Sequence, residues 1–310
     1  MTIEKTVLIT GATGFIGRYI ARYFHQKKWK TIGVSNSPPE NAPLSVLSNY
    51  YQLNLPHLDF IDIVKSESLN LCVHCAGRAS VGISLEYPLE DFYANTNLTI
   101  EVLNTLRLYA PQCEFIFLSS AAVYGNPSSL PITETHDTLP ISPYGFHKLQ
   151  SEQICEEFSK IYGLKTASVR IFSAYGPGLR RQVVWDICSK ALTNSSLELR
   201  GTGNESRDFI HPWDIAQAVE IIHNKSELNG DIYNLANGEE ITIKELTNLI
   251  IQCLDISPLV KFDNVVNKGN PLNWKADISK IQSIGFSPVV EFRQGLTTFV
   301  RWCQAELLGY

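Results

Sequence analysis

Three side chains in the middle of the chain have the types and spacing of a proton-transfer device. Tyr144 and Lys148 stand four apart in Tyr144-Gly145-Phe146-His147-Lys148, at the start of a segment, 142–162, whose pattern predicts a helix. Residues four apart sit one above the other on a helix face, so the Lys148 ammonium comes near the Tyr144 phenol. A phenol has an unperturbed pKa of about 10, and bringing it near 7 takes roughly 4 kcal/mol of preferential stabilisation of the phenolate. A neighbouring cation supplies part of that. Upstream, Ser119-Ser120-Ala121-Ala122-Val123-Tyr124-Gly125 follows an apolar strand at 114–118. Ser120 then leaves the end of a parallel strand, placed to hydrogen-bond the same reacting oxygen.

The elements that must position these groups begin at the N-terminus. Lys5-Thr6-Val7-Leu8-Ile9-Thr10-Gly11-Ala12-Thr13-Gly14-Phe15-Ile16-Gly17 reads as a buried strand turning directly into a helix, with Phe15, Ile16, Ile20, Ala21 and Phe24 as its apolar stripe. Gly11 allows the tight turn, Gly14 admits a pyrophosphate close to the backbone, and Gly17 lets the helix lie on the sheet. A glycine triplet alone also fits an ordinary strand-to-helix turn, but here the strand and the helix around it are both legible. With Thr13, Phe15 and Ile16 between the glycines, this is a dinucleotide cradle, and a bound nicotinamide cation would join Lys148 in lowering the Tyr144 pKa.

Thr31-Ile32-Gly33-Val34 predicts a second strand, closed by the polar loop Ser35-Asn36-Ser37-Pro38-Pro39. In a dinucleotide fold the end of this strand meets the adenosine ribose, where an Asp or Glu holds a free 2′-hydroxyl. Ser35, Asn36 and Ser37 stand there instead. No carboxylate repels a 2′-phosphate and no nearby Arg decides the matter, so NAD and NADP both stay open. Further strands are expected at 50–53, at 69–75 ending in the small pair Ala76-Gly77, at 114–118 and at 166–171, and a long helix from Pro88 to the stop at Pro111. Alternating strands and helices specify an α/β, Rossmann-like doubly wound parallel sheet. Past 172 the rhythm loosens into turn clusters such as Gly176-Pro177-Gly178 and Gly201-Thr202-Gly203-Asn204. The expected division is a dinucleotide-binding domain at 1–172, rejoined by elements near 208–236, and a smaller substrate-binding lobe within 173–310.

Composition narrows the partners. A net charge of -5 over 310 residues leaves no basic face for nucleic acid, and no apolar run approaches the roughly 20 residues of a membrane span. No signal-peptide pattern opens the chain, and an odd count of seven cysteines suits reduced thiols, so a cytoplasmic protein is expected. Cys72-Val73-His74-Cys75 has metal-knuckle spacing but lies in an apolar strand without a partner pair, so it reads as core thiols and no metal is expected. His74, His147 and His211 read as structural histidines.

Taken together these motifs resemble an extended short-chain dehydrogenase/reductase of the NAD-dependent epimerase/dehydratase family, which remodels nucleotide sugars. The resemblance runs nearly end to end. It implies that Ser120, Tyr144 and Lys148 are catalytic and that Asn97 helps hold the cofactor side. Arg170-Ile171-Phe172-Ser173-Ala174-Tyr175-Gly176-Pro177-Gly178 resembles the family's Arg-x-Phe-Asn-x-Tyr-Gly-Pro segment, and Arg207-Asp208-Phe209-Ile210-His211 the segment whose Arg contacts the substrate diphosphate. Cofactor contacts are further implied at Asn54, Leu55, Ala76, Gly77 and Ile171, and substrate contacts at Ser80, Ser120, Ser173 and Arg207. Ser173 replaces the usual Asn, Asn54 the usual Asp, and Asn267-Lys268-Gly269-Asn270 a common Arg-x-Gly-Asp. Asn267 carries no charge for a phosphate, and Lys268, Arg180 or Arg181 can take that role, although Arg180-Arg181 also reads as a solvated helix start.

Sugar 4,6-dehydratases of this family carry Asp-Glu after the catalytic Ser/Thr, and the decarboxylases a Glu in the same loop. Here Ala121 and Ala122 stand there and cannot move a proton. The resemblance therefore implies a nucleotide-sugar 4-epimerase, with an NAD(P)H-dependent 4-keto-6-deoxy-sugar reductase as the alternative. A dinucleotide-sensing protein without catalysis is the reading from another class, which the intact Ser120, Tyr144 and Lys148 oppose. A homodimer through the helices beginning near Pro88 and Ser142 is also implied.

Overall fold

The computed structural model describes residues 5–265 and 271–309. The chain runs β1 (Thr6–Thr10), α1 (Phe15–Gln26), β2 (Lys30–Ser35), β3 (Asn49–Gln52), α2 (Asp59–Ser66), β4 (Leu71–His74), α3 (Val81–Glu86) and α4 (Pro88–Phe92). A π-helical turn (Tyr93–Asn97) leads into α5 (Leu98–Tyr109), then β5 (Glu114–Ser120), α6 (Pro143–Tyr162), β6 (Thr166–Ile171) and the short β7 (Ser173–Ala174). There follow α7 (Gln182–Thr193), β8 (Ser196–Leu199), β9 (Ser206–Ile210), α8 (Pro212–Lys225), β10 (Asn229–Leu235) and β11 (Glu240–Thr242). Last come α9 (Ile243–Leu254), β12 (Leu259–Phe262), α10 (Ser279–Ser283) and α11 (Phe292–Leu308).

Seven strands form one sheet in the order β10-β6-β5-β4-β1-β2-β3, every pairing parallel. Alternate residues of a strand face opposite sides, so Val7 and Ile9 enter one core layer while Leu8 enters the other. The same alternation sends Val73 to the first layer and Cys72 to the second, where burial pushes the Cys72 thiol up and leaves it inert. The chain steps outward from β1 to β2 and β3, then returns to β4 on β1's other side. That reversal opens a crevice at the C-terminal ends of β1 and β4. A third apolar cluster, with Tyr175, Leu197, Phe209, Leu246 and Phe299, gathers α7, β8, β9, α9 and α11 beside that end of the sheet. β10 lies far along the sequence yet pairs with β6, and α8 packs on α1.

Two features depart from the pattern in the sequence. The long helix expected from Pro88 forms without a gap as far as Tyr109, but it takes a π-helical turn between α4 and α5, in which Asn95 donates to the Asp91 carbonyl at 3.1 Å. Ser35 closes β2 instead of opening the loop, and it is buried. The 267–270 segment, singled out for nucleotide recognition, lies outside the described residues.

Candidate active site

The glycine cradle forms as its spacing requires. Gly11 has φ +69°, and a Cβ there would sit 2.7 Å from the Ala76 nitrogen; one on Gly17 would lie 2.2 Å from the Gly11 carbonyl oxygen. Only glycine permits this approach of α1 to the sheet. Gly14, at the N-cap, offers no capping side chain, so the first N–H groups of α1 stay open toward the crevice that Gly14, Phe15, Ile16 and Gly17 line. An uncapped, positively polarised helix end facing a deep crevice fits a pyrophosphate.

Ser120 is the last residue of β5, in extended conformation, and its Oγ accepts from the Ala122 N–H at 3.2 Å. Ser142 caps α6 by accepting from Gly145 N–H at 3.2 Å, and Pro143 occupies the first helical position. The Tyr144 N–H donates to Ser84 Oγ at 3.1 Å, so α3 fixes the start of α6. One turn on, Lys148 Nζ donates to the Leu118 carbonyl at 2.9 Å and lies 4.6 Å from the Phe117 ring centroid and 5.9 Å from that of Tyr144. Burial brings the Lys148 pKa down to about 8, opposed first by the Asp91 carboxylate. Burial raises the Tyr144 phenol above its ordinary value, while the Ser120 side chain and the Arg181 charge pull it down.

These groups meet in a cleft of about 540 Å³ that runs from Gly11 and Gly77 past Ser120, Tyr144, Lys148 and Ile171 to Ser80, Ser173, Arg181 and Arg207. Lys148, Arg78, Arg181 and Arg207 line it, and among the described residues no Asp or Glu does. A second hollow of about 490 Å³, bordered by Lys190, Arg200 and Ile243, shares Val183, Arg207 and Pro271 with the first. Arg207 stands where the two meet, its guanidinium 5.5 Å from the Trp274 ring and its Nη1 donating to Ser206 O at 2.7 Å; burial lowers its pKa to about 10.

The chain belongs to the NAD dependent epimerase/dehydratase family. That family's model matches residues 7–236. A putative UDP-glucose 4-epimerase of Methanocaldococcus jannaschii is 28% identical over 96% of this chain and 97% of its own length. Among solved structures, a UDP-N-acetylglucosamine 4-epimerase of Methanobrevibacter ruminantium, in complex with UDP-N-acetylmuramic acid, superposes with a TM-score of 0.88 at 27% identity over 98% of this chain and 99% of its own. The Thermus thermophilus UDP-glucose 4-epimerase in complex with NAD gives 0.87 at 25% identity, covering 97% of this chain and all, 100%, of its own.

Within this epimerase/dehydratase family chain the expected residues do not all converge. Arg180 turns away from the cleft: its guanidinium pairs with Glu306 of α11 and lies 5.7 Å from the Trp302 ring. Of the two arginines for which substrate contacts were expected, Arg180 does not line the cleft, while the neighbouring Arg181 does and donates to the Ala79 carbonyl at 3.0 Å. Asn54 is exposed beyond β3, Leu55 packs partly buried under the sheet, and Asn97 closes the π-helical turn; none of the three lines the cleft. Ala76 sits behind the cradle, within reach of a Gly11 Cβ. Thr13, Ser35, Asn36 and Ser37 gather at the end of β2, outside the cleft lining. His147 pairs with the buried Asp91 at 2.6 Å, and His74 bonds Thr10 Oγ1 at 2.7 Å while its buried Nε2 has no partner among the described residues. Asp91 is a residue the sequence did not single out. Its only sequence signal is position, since a helix from Pro88 faces the one carrying Lys148.

Proposed function

We propose that this chain is a nucleotide-sugar 4-epimerase of the extended short-chain dehydrogenase/reductase type. The observation that carries the reading is the cleft itself: one phenol and one ammonium at a strand end, several cations, and no carboxylate lining it among the described residues. Such a site can shuttle one proton and hold an anion, and it lacks the acid/base carboxylates of a dehydratase or decarboxylase. Tyr144, as phenolate, takes the proton of the sugar's 4-hydroxyl while Ser120 holds that oxygen. Lys148 keeps one N–H on the Leu118 carbonyl and has two more for the cofactor ribose and the phenolate. A bound nicotinamide supplies the hydride acceptor and donor. Tyr144 returns the proton once the keto sugar presents its other face. Arg207, between the two hollows, suits the diphosphate, and the second hollow suits the nucleoside.

The test is the amount of NAD(P)H consumed per sugar converted, measured across UDP-, dTDP-, GDP- and CDP-sugars and their 4-keto forms. An isomeric product with consumption near zero supports epimerisation. Consumption of one mole per mole of a 4-keto sugar supports the reductase, which the missing carboxylate after β2 favours because NADPH suits one-way reduction.

The exposed apolar side chains of α4, the π-helical turn and α6, among them Leu89 at 64%, Tyr93 at 56% and Phe146 at 51% exposure, support a homodimer through these helices. Light scattering of Leu89→Asp against wild type checks it: a dimer should become a monomer. Seven free thiols suit a reducing compartment, and we place the protein in the cytoplasm.

A further inference from the structure

The corner where β2 ends is built differently from a site for a free ribose 2′-hydroxyl. Thr13 Oγ1 lies 2.6 Å from Ser35 Oγ and donates to Ser37 Oγ at 3.1 Å. Thr13 has a single hydroxyl proton, so with it directed at Ser37, Ser35 must donate to Thr13. The proton at the end of this relay, on Ser37, then has no acceptor among the described residues. Tyr50 OH bonds the Ser37 carbonyl at 2.5 Å and holds the loop in place.

Across the same corner lies Arg18, one residue past the last glycine of the cradle. Its Nε donates to the Thr13 carbonyl at 2.8 Å and its Nη2 to the Asn41 carbonyl, in the turn after β2. The guanidinium is therefore strapped between the phosphate loop and the β2 loop, half-buried, with Nη1 unpartnered and no carboxylate on it among the described residues. Sequence reading found no Arg near the end of β2, because Arg18 reaches it through the fold from the first turn of α1. The first carboxylate after β2 is Glu40, exposed on the turn Pro39–Asn41.

We infer that this corner takes the 2′-phosphate of NADP(H), with Arg18 as its charged ligand and the Ser37 hydroxyl as a second donor. A carboxylate is the group that rewards a free 2′-hydroxyl, and none is present from Gly33 to Ser37. A guanidinium held by two carbonyls is pre-organised, and its remaining N–H groups gain most from an anionic acceptor, where both partners carry charge. The inference rests on the dinucleotide reading of the cradle and not on which sugar is turned over.

Adenosine fragments test it without catalysis. Calorimetric titration of the full chain with 2′,5′-ADP and with 5′-AMP should show the bisphosphate binding about tenfold tighter or more, as expected for one hydrogen bond between charged groups. Arg18→Gln should erase that gap by weakening 2′,5′-ADP while 5′-AMP moves less than about threefold, and NADPH against NADH should repeat the contrast. Equal fragment affinities, or an Arg18→Gln loss shared equally by both, would leave Arg18 a brace of the loop and overturn the inference. Should Arg18→Gln not fold, Ser35→Asp carries the test, since a carboxylate in the corner must reverse the preference; a ratio unchanged by it counts against the inference. Binding of neither fragment overturns the inference together with the dinucleotide reading beneath it, whether or not a sugar is epimerised.

Discussion

Tyr144 is not a base by virtue of its own surroundings. Burial raises its pKa, and the groups that pull it down are the Ser120 side chain and the Arg181 charge. The sequence pointed to Lys148 as the cation, and Lys148 is near, but its ammonium donates to the Leu118 carbonyl and lies closer to the Phe117 ring than to that of Tyr144. Tyr144→Phe should lower turnover by roughly 10²–10⁴-fold, the range expected on removing a general acid/base, while thermal unfolding and dinucleotide binding stay near wild type. Turnover close to normal would remove Tyr144 from the chemistry. Arg181→Gln should move the acid limb of the pH profile for kcat/KM to higher pH, since a charge stabilising the phenolate is gone; an unmoved limb would confine Arg181 to substrate binding. Arg207→Ala should raise KM with little change in kcat, because a diphosphate is held alike in ground and transition states. Steady-state kinetics separate the two parameters.

At the scale of elements, the catalytic helix is held by a buried clasp. Arg170 of β6 meets Glu152 of α6 at 2.7 Å, Ser119 of β5 donates to the same carboxylate at 2.5 Å, and Arg170 also donates to Tyr124 OH at 2.8 Å. α6 is thereby tied to the two strands that end at Ser120 and Ile171. Glu152→Leu would leave the Arg170 guanidinium buried and uncompensated, at a cost of about 3–5 kcal/mol, readable as a lowered urea midpoint. A loss below about 1 kcal/mol, no more than a surface pair gives, would mean that water reaches Arg170. The sequence marked Arg170 as a motif residue, and 166–171 as a strand, with correct limits. It did not mark Glu152 as the partner, because an ion pair between a strand and a helix is set by how they pack. The π-helical turn within the Pro88 helix was also hidden, because the apolar spacing continues through it.

For the molecule as a whole, three buried titratable groups and the half-buried His211 set opposing pH dependences. Burial holds His74 down to about 3 and His211 to about 4, with the Lys148 charge adding to the former. Burial lifts Asp208 to about 7 and Asp214 to about 6, although each accepts backbone N–H bonds. Below pH about 6.5 the unfolded chain protonates histidines that the folded chain keeps neutral, so their contribution to stability is lost as pH falls toward 3–4. The carboxylates act the other way, since the folded chain takes up their protons near pH 6–7 and the unfolded chain only near 3.8. The two pairs largely cancel in wild type. His74→Gln removes one side, so its deficit relative to wild type should shrink by about 1 kcal/mol per pH unit below about 6.5. Urea denaturation at pH 7.5 and 5.5 measures this; an equal deficit at both would show that His74 titrates alike in both states.

Local signals in the sequence were enough for the cradle, the alternating strands and helices, and the Ser120, Tyr144 and Lys148 set. Glycine at positive φ, apolar periodicity and a four-residue helical interval are properties of neighbouring residues, and they survive in a linear reading. What joined distant segments was decided only in three dimensions. Arg180 and Arg181 are adjacent in sequence, yet one pairs with Glu306 on α11 and the other enters the cleft, because the chain turns at the start of α7 and sends their side chains apart. Arg18 and Ser37 are nineteen residues apart in the numbering and belong to different elements, and they share one corner because α1 crosses back over the end of β2. Charge and hydrogen bonding act through space, so a residue's type was legible in the sequence, and its partner only where the fold brought the two within reach.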